Sequence, residues 1–429
     1  MQTGGDLVMV GDNWPLVPLG EVTENFDGRR VPVKEIERKP GPFPYYGASG
    51  IVDRVDSYLF DGEYLLIGED GEDGENLRTR QTPIAFIADG KFWVNNHAHI
   101  VRGNHFAETR FLCYILSQTD ISGYLTGSTM PKLTQGNLNR LPIPLPPLPI
   151  QRRIASILGS LDDKIELNRQ MNETLEAMAK ALFQSWFVDF DPVHAKAQGK
   201  KPEGMDEATA ELFPDSFVES ELGKIPKGWK AKRLPDTIEV NPPRRLRKGT
   251  IAPYLDMKNL PTRGHSAEEV LQRGFSSGTK FQNGDTLFAR ITPCLENGKT
   301  GFVDFLEEGQ VGWGSTEYII LTPKPPLPPQ FGYLLARSDA LRTHAIQNMT
   351  GTSGRQRVPA ESLNTFWLAS PPPPIARRFD EVTVSVMAAI KANVNQSRTL
   401  ATLRDTLLPK LLSGELSVAG LESKQKASL

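Results

Sequence analysis

The chain holds 429 residues, 39% hydrophobic and 23% charged, with a formal net charge of −2. That length exceeds one ordinary domain and predicts two to four, and the composition is that of a soluble globular protein able to bury real cores. Two cysteines, Cys113 and Cys294, exclude a disulfide framework and make a reducing cytoplasm the default. No apolar run approaches the ~20 residues that span a bilayer, and Met1 to Asp6 show no basic, apolar export signal.

The small net charge hides an uneven distribution. Residues 1–148 carry −6 and 149–219 carry −5, whereas 220–373 carry +6 and 374–429 carry +3. The third block suits a polyanion; the first would meet one only through a local patch.

In chain order, block 1–148 opens at Trp14 to Gly20 and continues through short β-rich runs. These are Tyr64–Ile67, Ile84–Ile87, Phe92–Val94 and Ile100–Val101, separated by Asp, Gly, Asn and Pro clusters. A helix is expected at about Glu108–Leu116, then a Thr126-Gly127-Ser128 loop and the proline-rich edge Leu141–Leu148. The block reads as an α+β domain.

Block 149–187 reads as one long helix. Pro149 suits a first helical position. Apolar residues follow at Ile150, Ile154, Ile157, Leu161, Ile165, Leu175, Met178, Leu182 and Trp186, a single stripe interrupted by Asn168 and Asn172. About 37 residues at ~1.5 Å each reach roughly 55 Å, which calls for a partner helix along the length. The two asparagines are candidates for fixing its register. Block 188–222 reads as a connector with one short helix.

Block 223–373 repeats the first. Trp229 to Leu234 echoes Trp14 to Leu19 at an offset of 215, and Met349 to Ser353 echoes Leu125 to Thr129 at 224. The offset then holds at 225 through a second long helix, block 374–413, behind Ser370-Pro371-Pro372-Pro373-Pro374. Its stripe is Ile375, Phe379, Val382, Val386, Ile390, Val394, Leu400, Leu403, Leu407 and Leu411. Residues 414–429 read as a polar tail. The plan is an α+β chain duplicated internally: two globular domains joined by two long helices packed as an antiparallel coiled coil, with pseudo-two-fold symmetry. Such a pair would act as a ruler between two surfaces.

No catalytic constellation stands out. Asn241-Pro242-Pro243-Arg244 echoes the Asn/Asp-Pro-Pro-aromatic loop of amino-group DNA methyltransferases, yet it lacks the aromatic and a preceding Gly-rich cofactor loop, so it reads as a turn. The acidic run Gly68 to Glu75 lacks calcium-loop spacing and reads as a solvated turn. His97, His99 and His105 have no Cys or carboxylate at metal-ligand spacing and read as packing or polar contacts. Walker-type loops and nucleophile elbows are missing.

Binding candidates are basic. In the third block they are Arg244, Arg245, Arg247, Lys248, Lys258, Arg263, Arg290, Arg355 and Arg357; arginine contacts phosphate and reads guanine bidentately. Arg29, Arg30, Lys34, Arg78, Arg80 and Lys132 are the analogues in the first block. Thr126-Gly127-Ser128 and Thr350-Gly351-Thr352 are small-residue loops that either admit a ligand to the backbone or cap helices.

Several segments carry a family likeness: Leu145 to Ile154 with the helix through Asp162-Asp163-Lys164-Ile165, Gln184 to Pro192, Gly223 to Trp229, and Leu407 to Glu415. With the duplication, the chain resembles the specificity subunit of Type I restriction-modification systems over essentially its whole length. Two departures are Ala376 in place of Gln151 and the acidic first block. The resemblance implies that each globular domain reads one half of a split double-stranded DNA target. It implies that the helices set the gap and dock two methyltransferase subunits, which methylate adenine N6, with two restriction/translocase subunits joining them. S-adenosylmethionine, ATP and Mg would sit on those partners, leaving this chain without catalysis or cofactor. Two rival readings are a duplicated coiled-coil protein–protein scaffold, whose partner binding would ignore salt where DNA binding weakens steeply, and a bifunctional methyltransferase, against which the missing cofactor loop counts.

Overall fold

The computed structural model of the chain describes residues 14–70, 77–127, 131–352 and 354–418, and of Arg78 and Thr79 the backbone alone. The acidic run beyond Asp70, the Arg78 side chain, Ser128 and Ser353 lie outside the described residues. The chain divides into two compact units, residues 1–165 with 398–429, and residues 166–397. Both divisions fall inside long helices, Leu148–Phe187 and Pro373–Leu412, each of 40 residues.

The domain of the first unit carries two four-stranded sheets. One orders Thr23–Asn25, Ala98–Gly103, Tyr64–Gly68 and Ala85–Ala88, all antiparallel. The other orders Ile51–Val55, Pro40–Tyr46, Lys91–Val94 and Phe60–Asp61, with the middle pair parallel. The apolar run Leu65-Leu66-Ile67 explains why its strand is central: side chains alternate across a strand, and here both faces are covered. Leu65 and Ile67 join the core of Phe111 and Leu112, while Leu66 joins Phe60 and Phe92.

The second unit repeats this topology strand for strand. Ile238–Val240, Tyr318–Pro323, Thr286–Ala289 and Thr300–Phe302 form one sheet; Leu271–Gly274, Ile251–Leu255, Gly312–Gly314 and Thr279–Phe281 form the other, again with its middle pair parallel. In each domain a first strand pairs with the last: Leu16–Pro18 with Pro142–Pro144, and Lys230–Arg233 with Trp367–Ser370. That pairing brings each domain's start beside the residues that enter its long helix. The connector holds two short helices, Asp191–Ala197 and Glu207–Glu211, where the sequence suggests one.

The helices pair antiparallel within each unit. In the first, Ile154, Ala155 and Leu158 share a core with Leu408, Leu411 and Leu412 and with the domain helix Thr109–Leu116; Arg404 bonds Asp162 at 2.7 Å. Buried Gln151 pins the helix start, accepting from Glu108 N at 2.9 Å and donating to Phe106 O and Pro146 O. In the second unit, buried Asn168 donates to Gln396 Oε1 at 2.9 Å and Ser397 Oγ at 3.2 Å, and Asn172 accepts from Asn393 at 2.9 Å. Offset 225 makes Asn393 the counterpart of Asn168, and Ser397 that of Asn172, so the two bonds are reciprocal. Nearer the domain, Phe183, Trp186 and Phe187 meet Phe379, Phe213, Trp229 and Phe331 in an aromatic cluster, with Phe187 edge-on to Phe379 at 4.8 Å. Ala376, where the first repeat has Gln151, is buried in that core.

Of the expected stripe, Ile154, Trp186, Ile375, Phe379 and Ile390 are buried, and Ile150, Ile157, Leu161, Ile165, Leu175, Leu182, Val382, Val386, Leu400 and Leu407 half-buried. Met178 and Leu403 are corrections: they are 59% and 44% exposed. The inward position beside Met178 belongs to a charged residue, Glu176, which is buried because its partners satisfy it. Tyr333 donates to Glu176, and His265 lies 3.7 Å from Glu176 and 3.3 Å from Asp304.

Burial lowers the pKa of His265, but Asp304 and Glu176 raise it more, to about 9. The folded value lies above the ordinary one, so the stabilisation from its protonated form is full below pH ~6.5 and is lost as pH rises through about 9. Melting temperature is therefore expected to fall between pH 7 and pH 10, with a smaller fall in His265→Phe. Glu176→Ala leaves buried His265 with Asp304 as its one carboxylate and the Tyr333 hydroxyl without its acceptor, and is expected to cost about 3 kcal/mol in denaturant titrations.

Candidate nucleic-acid interface

A concave site with basic lining lies in the second unit's domain. It is a cavity of about 450 Å³ walled by Asn241-Pro242-Pro243-Arg244, Lys280, Arg290, Thr316 and Tyr318. Asn241 adopts a left-handed conformation, with φ 53°, and its side chain accepts from Ile320 N at 2.9 Å. The Asn-Pro-Pro segment is thus a turn fastened to a central strand, which aims Arg244 at the cavity. Arg244 is braced by buried Asp285 at 2.7 Å, and Asp285 also accepts from Thr322 and from Gln282 N. Lys280 spans from its strand to Arg244 O at 3.2 Å.

Arg290 leaves the end of strand Thr286–Ala289 and is tied by its backbone to Glu317 O and to Val358 N. The latter bond brings up the loop that carries Arg355 and Arg357. Thr350 and Arg357 bridge across its neck, and Arg357 grips Glu317 through bonds of 2.8 to 3.0 Å. The cavity therefore gathers Arg244 and Arg290 with Lys280, a residue that the sequence alone does not single out, while Arg355 and Arg357 lie on the adjoining loop. The signal of Lys280 is weak: a lone lysine in a strand. Arg245, Arg247 and Lys248 are exposed in the segment leading away from the turn. Lys258 and Arg263 sit instead on the 256–266 loop, which Lys299 and Arg337 hold through its carbonyls.

Among the described residues, Thr126-Gly127 and Thr350-Gly351 adjoin paired strand residues and cap no helix. Leu125–Thr126 pairs with Lys132–Leu133, as Thr350 does with Arg357, and Gly127 and Gly351 take φ values of 93° and 114° that disfavour a side chain.

Strand registers allow the two domains to be compared position by position. Ile67 faces His99 and Gly68 faces Ala98, as Phe288 faces Ile319 and Ala289 faces Tyr318. Glu69 N then bonds His97 O as Arg290 N bonds Glu317 O, and Glu69 O accepts from Leu133 N as Arg290 O accepts from Val358 N. Glu69 and Arg290 thus occupy one place in the fold with opposite charge, and Lys132 corresponds to Arg357. In the first domain that place is filled internally. Arg30 bonds Glu69 at 2.8 Å and Ala98 O at 2.9 Å, His99 sits between Asp27 at 2.6 Å and Leu133 O at 2.8 Å, and Asp70 meets His97 and Lys132. His97 and His99 are thereby polar contacts, and among the described residues no cluster of metal-ligating side chains forms. Burial lowers the His99 pKa, yet its bonds to Asp27 and Leu133 O leave it raised. Arg29 is exposed over the Phe60 ring at 4.9 Å, and Lys34 and Arg80 are exposed.

Among the described residues no helix is long and apolar enough to cross a membrane. Residues 11–177 match the family described as Type I restriction modification DNA specificity domain. The chain is 25% identical to the MjaIX specificity subunit of Methanocaldococcus jannaschii over 97% of this chain and 96% of that one. It is 25% identical to the HindI specificity subunit of Haemophilus influenzae over 83% and 84%. Its fold is similar to that of a Type-I restriction-modification S subunit from M. genitalium, with a TM-score of 0.55 and 14% identity, covering 95% of this chain and 97% of that one. Duplicated α+β domains, paired long helices and these matches agree: residues 11–177 carry a type I restriction modification DNA specificity domain, and the chain over nearly its whole length is similar to type I specificity subunits.

Proposed function

We propose that this chain is the non-catalytic, cytoplasmic subunit that directs a type I complex to a bipartite double-stranded DNA target, each domain reading one half. The observation that carries this reading is one recognition fold used twice with opposite chemistry at an equivalent place, Glu69 in one copy and Arg290 in the other. Two copies built to hold the same ligand would share that chemistry; two copies built to read different half-sites would not. Proposed DNA contacts are Arg29, Lys34, Arg78, Arg80 and Lys132 in the first domain, with Arg30 positioning its neighbours, and the nine basic candidates of the second.

The long helices set the gap between the halves and dock two methyltransferase subunits that methylate adenine N6. Exposed Leu167, Met171 and Met178, at helical spacing on the first helix, support such docking. Restriction/translocase subunits join through those partners, which also carry S-adenosylmethionine, ATP and Mg.

Methylome sequencing of a methylation-null host bearing this chain and its methyltransferase subunit tests the reading. The expected result is N6-methyladenine in both halves of a motif with a fixed gap, and exchange of residues 223–370 for those of a relative should change one half alone. A stably assembled complex that adds no methylation sinks the reading in favour of a scaffold.

A further inference from the structure

The cavity at the Asn241 turn has a specific electrostatic imbalance. Three cations, Arg244, Lys280 and Arg290, line it, while its one bracing carboxylate, Asp285, is buried and already accepts three hydrogen bonds. Among the described residues neither Lys280 nor Arg290 has a carboxylate within ion-pair distance. The Nε atoms of Arg244 and Arg290 are both buried without an acceptor. A buried charged donor left unpaired is costly, so the site calls for a ligand rich in acceptors and negative charge.

The remaining lining groups narrow that ligand. The side-chain oxygen of Asn241 accepts from Ile320 N, the carbonyl of Arg244 accepts from Lys280, and the Tyr318 hydroxyl donates to Leu255 O. Apart from the Thr279 and Thr316 hydroxyls, which both donate and accept, the charged side chains of the cavity offer donors alone. Adenine and cytosine edges present donors of their own and fit poorly; a phosphodiester presents acceptors only and carries the charge.

Resting on the DNA reading above, we propose that this cavity is a phosphate-docking site, holding one backbone phosphate of the duplex and setting the register of the second domain on its half-site. The first domain lacks the site, because Glu69 and Arg30 neutralise each other where the second domain places Arg290. The charges of −6 and +6 on the two globular blocks follow the same division.

The test uses the whole chain assembled with its methyltransferase subunit, titrated with its target duplex and an unrelated duplex over a range of salt. Lys280→Gln and Arg290→Gln are compared with Lys280→Arg and with the exposed connector variant Lys201→Gln, each checked for an unchanged melting temperature. Each pocket variant is expected to reduce the slope of log affinity against log salt by roughly 0.9, an affinity loss of about eightfold at 0.1 M salt. The loss should be similar on both duplexes, the methylated motif should be unchanged, and Lys280→Arg should restore binding. If the second half-site relaxes instead, the arginines read guanine and the phosphate proposal is overturned. An unchanged slope, with the parent complex still binding DNA, overturns the proposal alone. A parent complex without DNA affinity overturns the specificity reading and the proposal with it.

Discussion

Two forty-residue helices, each with an apolar stripe, cannot persist alone in water; most helical stability in proteins comes from packing an amphipathic face. Here each stripe is covered partly by the other helix and partly by domain residues, with Met178 and Leu403 left exposed, and the helix-on-helix part requires the chain to return antiparallel. Asn168, Asn172, Asn393 and Ser397 then select one register, because a slip by a turn would leave buried amides facing apolar side chains. The aromatic cluster around Phe187 and Phe379 and the Gln151 clamp fix where the domains attach to this pair.

Duplication also separates what must be kept from what is free to change. The strand order, the parallel middle pair and the pairing beside Gly127 and Gly351 recur, since these carry backbone hydrogen bonds and left-handed glycines. Side chains that leave the strand ends differ outright. Glu69 and Arg290 share a backbone environment, yet one closes an internal network with Arg30 and the other faces a cavity. The scaffold is common, and the chemistry sits at strand ends and in loops, where substitution leaves the sheets intact.

Much of this was legible in the residue order. The domain-helix-domain-helix plan follows from the offset of 225 and from apolar steps of three and four. The strand at Leu65–Ile67 follows from its length and turn-bounded flanks. Periodicity places Met178 in the core because it registers residue type, whereas Glu176 takes the inward place through Tyr333 and His265, more than eighty residues distant. Lys280 carries no local signal for the same reason: its importance lies in reaching the Arg244 carbonyl across the domain.

By itself, then, the sequence determined the duplicated α+β plan, the two paired helices and the concentration of positive charge in the third block. These are properties of local periodicity and composition, and they survive without knowledge of any contact. The tertiary structure alone decided which cations gather at one cavity, which are neutralised within the first domain, and which asparagines meet across the helices. Those outcomes depend on pairings between residues far apart in the chain, where a buried charge or amide is tolerated only if a specific partner arrives to satisfy it.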